Sequence, residues 1–230
     1  MNSSAIPQHV AIIPDGSRRW AKQHNLTAND GHKAGYDNLK QIADAAFARG
    51  ISYVTGYVFS TENWSRADAE VGYLMKLAAY AIKEETKQFV AKGIRIRILG
   101  SRAGLDSKLA RGLDQVEEQT KAGTAGTIGI CFNYGGRRDV VEAVQQLVRA
   151  GVAAEDITEE RLATGLTSAG LPDPDLIIRT SGEQRLSNYL IWESAYSELY
   201  FTDCLWPDFN EAELDTALAA YAQRKRNFGK

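Results

Sequence analysis

Six short apolar runs, most of them separated by stretches long enough for a helix, constrain this chain more than any other feature. They are Val10–Pro14, Tyr53–Ser60, Ile94–Leu99, Thr127–Phe132, Leu176–Arg179 and Glu198–Phe201. Strands spaced this way are joined by helical crossovers, which favours parallel pairing in an α/β domain. At 230 residues, one such domain spanning 1–230 with a large core is the expectation. No repeat, low-complexity tract or linker interrupts it, and the Gly123–Gly126 stretch is too short to act as a domain boundary.

Ala69 to Lys92 reads as a long helix. Val71, Leu74, Met75, Ala78, Ile82, Phe89 and Val90 recur at helical spacing, and Gly93 fits a C-terminal stop. Core packing is the default for such a face. The alternative is that part of it lines an apolar ligand tunnel, and periodicity does not separate the two.

In open α/β sheets, ligands sit beyond the carboxyl ends of the strands. Polar clusters follow the strands here in that way. After Leu176–Ile178 come Arg179, Ser181, Gly182, Arg185 and Ser187. Strand packing needs no such set, whereas an anion with several oxygens matches it. Arginine forks fit phosphate oxygens, glycine admits backbone N–H groups, and serine adds donors. Asp15-Gly16-Ser17-Arg18-Arg19-Trp20 follows the first strand and opens a helix, a second anion site. Asp15 would repel phosphate there unless a cation lies between them, and Mg²⁺ resolves the conflict. The alternative is a common Asp-Gly turn with two solvated arginines.

Weaker clusters complete the set. His32, within Gly31–Gly35, could bond a phosphate or assist proton movement, although a lone histidine is more often structural. Ser60, Thr61, Glu62, Asn63, Trp64, Ser65 and Arg66 again follow a strand, and Trp64 either walls an apolar substrate or covers the core. Gly135 and Gly136 precede Arg137 and Arg138, where a structural turn is at least as plausible as substrate contact. Glu198 is a candidate oxygen ligand for Mg²⁺ or a salt-bridge partner of an arginine. Arg224 to Gly229 is a basic end that orders over phosphate or stays solvated.

A formal net charge of −2, with acid and base well mixed, argues against nucleic acid as a partner. Cys131 and Cys204 lack metal-ligand spacing and suit a reducing cytoplasm. Met1–Gln8 lacks signal-peptide character, and no apolar run reaches the roughly 20 residues of a membrane span.

Together these motifs resemble the cis-prenyltransferase family, also called isoprenyl transferases or undecaprenyl diphosphate synthases. The segments 9–22, 31–35, 59–66, 133–137, 175–188 and 195–209 stand in the family's order and spacing, so the resemblance covers nearly the whole chain. It implies a mostly parallel six-stranded sheet surrounded by helices, an apolar tunnel, a homodimer, and condensation of isopentenyl diphosphate with an allylic diphosphate such as farnesyl, geranyl or dimethylallyl. It makes Asp15 essential for Mg²⁺ and ionisation, with Glu198 helping to hold the metal. It places Gly16, Ser17, Arg18, Arg19, Trp20 and His32 around the allylic diphosphate. Arg179, Gln184, Arg185, Leu186 and Ser187 fall at the isopentenyl diphosphate. Ser60, Thr61, Glu62, Trp64 and Arg66 fall near the reacting carbons, and Asn63 becomes a candidate for proton removal. Arg226 would reach a partner subunit's site. The implied setting is cytoplasmic, with transient membrane contact for product release.

The chain departs from the family's pattern at Ser17, where asparagine is usual, and at Arg18, where many members have glycine. It departs also at Ala28, near a frequent arginine, and at Glu193, a common glutamine. Most of these changes are expected at the allylic site, where Arg18 could replace the charge missing near Ala28. Tyr36 and Val58 are bulkier than in long-chain members, which would shorten the product. The leading expectation is an undecaprenyl-type long-chain enzyme, and the rival is a short-chain or lavandulyl-type synthase. A non-catalytic partner subunit should lose Asp15 or the arginine loop, and this chain keeps both.

Overall fold

In a computed structural model, which describes residues 6–224, the expected α/β architecture is present. Six parallel strands form one sheet in the order β3-β4-β2-β1-β5-β6. They are β1 (His9–Ile13), β2 (Tyr53–Ser60), β3 (Ile94–Leu99), β4 (Gly126–Tyr134), β5 (Leu176–Arg179) and β6 (Glu198–Phe201). The helices are α1 (Ser17–Gln23), α2 (Ala28–Ala48), α3 (Asp68–Ala91), α4 (Ser107–Thr120), α5 (Gly136–Arg149), α6 (Glu159–Gly165) and α7 (Glu211–Ala222). A short 3₁₀ turn, Thr61–Ser65, follows β2.

All five strand pairings are parallel, so "mostly parallel" becomes wholly parallel among the described strands. β1 is buried along its whole length, as a central strand covered on both faces must be. β4 runs two residues past the expected Phe132, to Tyr134. Its partner β2 carries the irregularities, with register shifts between Tyr57 and Ser60.

The core gathers Val10, Ile12, Ile42, Val54, Ile128 and Ile178 around the sheet. Six of the seven periodic apolar residues of α3 pack against it: Val71, Leu74, Met75, Ala78, Ile82 and Phe89. Val90 does not, being 50% exposed at the end of the helix. Gly93, at φ +66°, supplies the left-handed stop.

His9 ties the layers together. One ring nitrogen lies 2.7 Å from Pro172 O and the other 2.7 Å from Thr55 Oγ1. Burial pushes its pKa down to about 4, so the ring is neutral at physiological pH. Arg226 lies outside the described residues.

Candidate active site

β1 and β5 are neighbours, so their carboxyl ends deliver Asp15 and Arg179 to one place. The Asp15 N–H donates to Thr180 Oγ1 at 2.9 Å, and that hydroxyl donates to Asp15 O at 2.7 Å. Gly16 turns the chain with φ +109°. A Cβ there would stand 2.9 Å from Leu205 Cδ2 and 3.0 Å from Ser181 Cβ. Both the dihedral and the space therefore require glycine.

Arg179 is 4% exposed and makes three bonds. Nη2 donates to Asp15 Oδ2 at 2.9 Å, while Nη1 donates to Arg185 O at 2.5 Å and Ser187 Oγ at 2.7 Å. One guanidinium thus braces both the first cluster and the far end of its own loop. Ser181 (φ +78°), Ser187 (+51°) and Asn188 (+67°) all sit in the left-handed region, an unusual density of strain for non-glycine residues. The loop is held by N–H bonds of 2.8 Å from Ser181 to Cys204 O and from Gly182 to Thr202 O. Arg19 closes over it, donating to Ser181 O at 3.0 Å and Ser181 Oγ at 2.5 Å.

A second cluster faces these residues across α2 and α3. His32 Nε2 lies 3.0 Å from Glu70 Oε1, and Arg66 Nη1 donates to the same oxygen at 2.9 Å. Arg18 Nη1 is 3.6 Å from the other oxygen. Burial is the main cause of a lowered His32 pKa, and contact with Glu70 opposes it. Burial acts to raise the Glu70 pKa, but His32, Arg66 and Arg18 outweigh it and hold the carboxyl below its usual range.

Both clusters open into one cavity of about 1090 Å³. Its mouth presents Arg18, Arg19, Arg66, Arg137, Arg179 and Arg185 against Asp15, Glu62 and Glu183. A chain of net charge −2 therefore gathers positive charge at one opening. Beyond the mouth the walls become apolar, with Leu74, Ala78 and Ile82 from α3 facing Ile96, Ile98 and Ile130 from the sheet.

Gly16, Ser17, His32, Ser60, Asn63 and Ser187 also line this cavity, as do Tyr36 and Val58. The Ser60 N–H donates to Asn63 Oδ1 at 3.1 Å, so that oxygen is already engaged. Other expected positions stand away from it. Trp20 donates from Nε1 to Asp208 Oδ1 at 2.7 Å and leans on His24. Trp64 donates to Asn133 Oδ1 at 2.8 Å and meets buried Phe59 edge-on, the arrangement of the core-covering alternative. Thr61 sits under Gly135, Leu186 packs beside a small buried cluster, and Gln184 is exposed outside the cavity.

Glu198 needs the clearest correction. It pairs with Leu176 at the start of β5, whereas Arg179 ends that strand beside Asp15. Three residues separate the two levels, about 10 Å along a strand. Glu198 Oε2 instead accepts from Arg224 Nη1 at 2.7 Å, the salt-bridge alternative. Within one chain, Glu198 and Asp15 do not converge on a cation. Glu193 is the departure that lies elsewhere: it is buried and accepts from Ser168 Oγ, away from the cavity. The paired glycines are structural. A Cβ on Gly135 would meet Thr61 Oγ1 at 2.6 Å, and one on Gly136 would meet Ile191 Cγ1 at 2.7 Å.

Three cavity or hub residues escaped the sequence-based assignment, Glu70, Glu183 and Asn188, while Arg137 of the paired-glycine cluster lines the cavity. Glu183 and Asn188 lie within the arginine loop and were legible by position. Glu70 is an ordinary first-turn acid of α3, and only the fold brings His32 to it.

Comparison with known proteins adds independent findings. The family model described as "Putative undecaprenyl diphosphate synthase" matches residues 13–229. An isoprenyl transferase of Neisseria gonorrhoeae is 43% identical over 230 residues, covering 100% of this chain and 92% of the relative. One from Fusobacterium nucleatum is 46% identical over 224 residues, covering 97% and 96%. Among solved structures, lavandulyl diphosphate synthase from Lavandula x intermedia, in complex with dimethylallyl diphosphate, aligns with a TM-score of 0.93 at 36% identity. That alignment covers 99% of this chain and 100% of the other. A probable undecaprenyl diphosphate synthase from Campylobacter jejuni aligns at 0.82 and 28%, covering 100% of both.

Proposed function

This chain belongs to the undecaprenyl diphosphate synthase family and is a cis-prenyltransferase, and we propose that it adds isopentenyl diphosphate repeatedly to an allylic diphosphate through the site around Asp15. The observation that carries this is a single cavity with an arginine-rich mouth and an apolar depth. A diphosphate and a growing hydrocarbon chain need those two environments end to end.

In this reading Arg19, His32, Ser17 and Arg18 hold the allylic diphosphate. Arg185 and Ser187 hold the isopentenyl diphosphate, with Arg179 bracing that loop against Asp15. Asn63 stands beside the reacting carbons as the candidate for proton removal; the Ser60 N–H takes one lone pair of its carbonyl oxygen and orients the amide. Asp15 fits a Mg²⁺ ligand: Oδ2 faces Arg179, while Oδ1 stays 3.7 Å from Arg19. One carboxylate together with phosphate oxygens and waters is the donor set this cation accepts. Bound there, Mg²⁺ would neutralise the charge that develops on a departing diphosphate. The proposal includes a cytoplasmic homodimer that touches a lipid surface at product release, and it assigns the product as a carrier lipid for cell-wall sugars.

The short-chain or lavandulyl-type reading has its own support in the 0.93 TM-score to the lavandulyl enzyme and in the changes at Ser17, Arg18 and Ala28. Product analysis separates the two. The protein is incubated with Mg²⁺, labelled isopentenyl diphosphate and dimethylallyl, geranyl or farnesyl diphosphate in turn. Long cis-polyprenyl products that vanish in Asp15→Ala support the carrier-lipid reading. A single condensation product favours the short-chain one, and Asp15→Ala at wild-type rate removes Asp15 from the mechanism.

A further inference from the structure

Beyond the mouth, the cavity's apolar walls are joined by one charged side chain among the described residues, Lys40. Lys40, two turns beyond His32 on α2, donates from Nζ to Glu85 Oε1 at 2.7 Å across to α3. Glu85 is 7% exposed, and fifteen residues separate it from Glu70 at the mouth, about 22 Å along α3. The Lys40 ammonium also stands 4.8 Å from the centre of the Tyr36 ring. Burial and the neighbouring Glu85 carboxylate push the Tyr36 hydroxyl pKa up.

Lys40 and Glu85 also line a second pocket of about 380 Å³ between the same two helices, whose outer residues Gln41, Asp44, Gln88 and Lys92 are exposed. Lys40, Phe89 and Ile128 line both spaces, so the two adjoin. Their characters differ. The second is walled largely by Asp37, Gln41, Asp44, Gln88 and Lys92, whereas the depth of the first is aliphatic. The pair is therefore a boundary between an apolar space and a polar one.

We infer that the Lys40–Glu85 ion pair, roofed by Tyr36, is the stop that sets the maximum product length. The inference rests on the reading that the first cavity houses the growing prenyl chain. A hydrocarbon end reaching the pair would have to separate two charges or strip their remaining partners, and neither is compensated by apolar contact. Elongation in that direction halts once the aliphatic space is filled. The pair then acts by polarity as well as bulk, unlike a large apolar residue narrowing the wall.

The test replaces the pair by Lys40→Met with Glu85→Met. Exchanging both partners for apolar residues avoids a lone buried charge, and methionine adapts to irregular space. With labelled isopentenyl diphosphate and the preferred primer, the longest product should gain at least one isoprene unit. Adding Gln88→Trp, which sets an indole at the exposed rim of the second pocket, should return the length to that of wild type, while Gln88→Trp alone should change nothing. Lys40→Arg, which keeps the charge pair, should leave the length as it is. Unchanged length in a folded methionine double variant overturns the inference, and so does lengthening by Lys40→Arg. If the methionine pair fails to fold, Lys40→Leu with Glu85→Met is read the same way. Wild-type protein that elongates no primer would instead defeat the reading of the first cavity, independently of the ion pair.

Discussion

Glu70 shows how one side chain can organise residues that line a cavity without lining it itself. It gathers His32, Arg66 and Arg18, and its contact raises the His32 pKa against the lowering effect of burial. Glu70→Gln removes that opposition, so the His32 titration midpoint should move to lower pH, read by NMR of the ring protons. A midpoint that stays put or rises would show that Glu70 does not act on His32. The sequence offered His32 and Arg66 as site residues because each stands in a polar loop or glycine-flanked cluster. It offered nothing for Glu70, since an acid in the first turn of a helix is ordinary dipole chemistry. Trp20 and Trp64 erred in the other direction. Their indole N–H groups found carboxylate and amide partners near the core edge, and nothing in a tryptophan's neighbours along the chain distinguishes that from walling a substrate.

At the level of elements, the mouth depends on how closely α1 and α2 approach. A Cβ on Gly31 would lie 2.3 Å from Ser17 O, a backbone atom that cannot move without α1. Gly31→Ala should therefore push α1 outward and carry Arg18 and Arg19 with it. We expect a loss of roughly 1–3 kcal/mol in stability from overpacking and at least a tenfold fall in kcat/KM for the allylic substrate. Thermal unfolding checks the first effect and steady-state kinetics the second, and unchanged kinetics would remove α1 from the allylic site. Four of the six strand ranges were legible to the residue, because a buried parallel strand must be an unbroken apolar run. The end of β4 was not. Asn133 looks like a loop residue at φ +51°, yet it is buried and donates from Nδ2 to Ser101 O at 2.8 Å and Ala103 O at 3.0 Å. Tertiary bonds there extend a strand that local chemistry would end.

For the molecule as a whole, His9 links acid stability to the join between β1, β2 and the segment before β5. Its pKa falls from 6.5 unfolded to about 4 folded, so the unfolded chain binds the extra proton first. The contribution is complete above pH 6.5 and is lost as pH falls towards 4, about 3 kcal/mol in all. Asp139 and Glu193, whose pKa values are raised chiefly by burial, act in the opposite sense, so the comparison must be between proteins. His9→Gln should flatten the acid limb between pH 6.5 and 4 in urea unfolding, and parallel curves for the two proteins would refute the assignment. The overall topology was predictable from spacing, and the meeting of the Asp15 and Arg179 loops followed from it only in outline. Asp15 and its buried partner Arg179 are 164 residues apart. A ribosome adding 5–20 residues per second needs roughly 8 to 33 s to pass from one to the other. During that interval Asp15 has been made and Arg179 has not. β1, which lies between β2 and β5 in the finished sheet, must wait with one edge open. The emerging polypeptide consequently holds no assembled Asp15–Arg179 pair until most of it has been translated, and an early-terminated chain ending before β5 would carry an unpaired strand edge and lack that pair altogether.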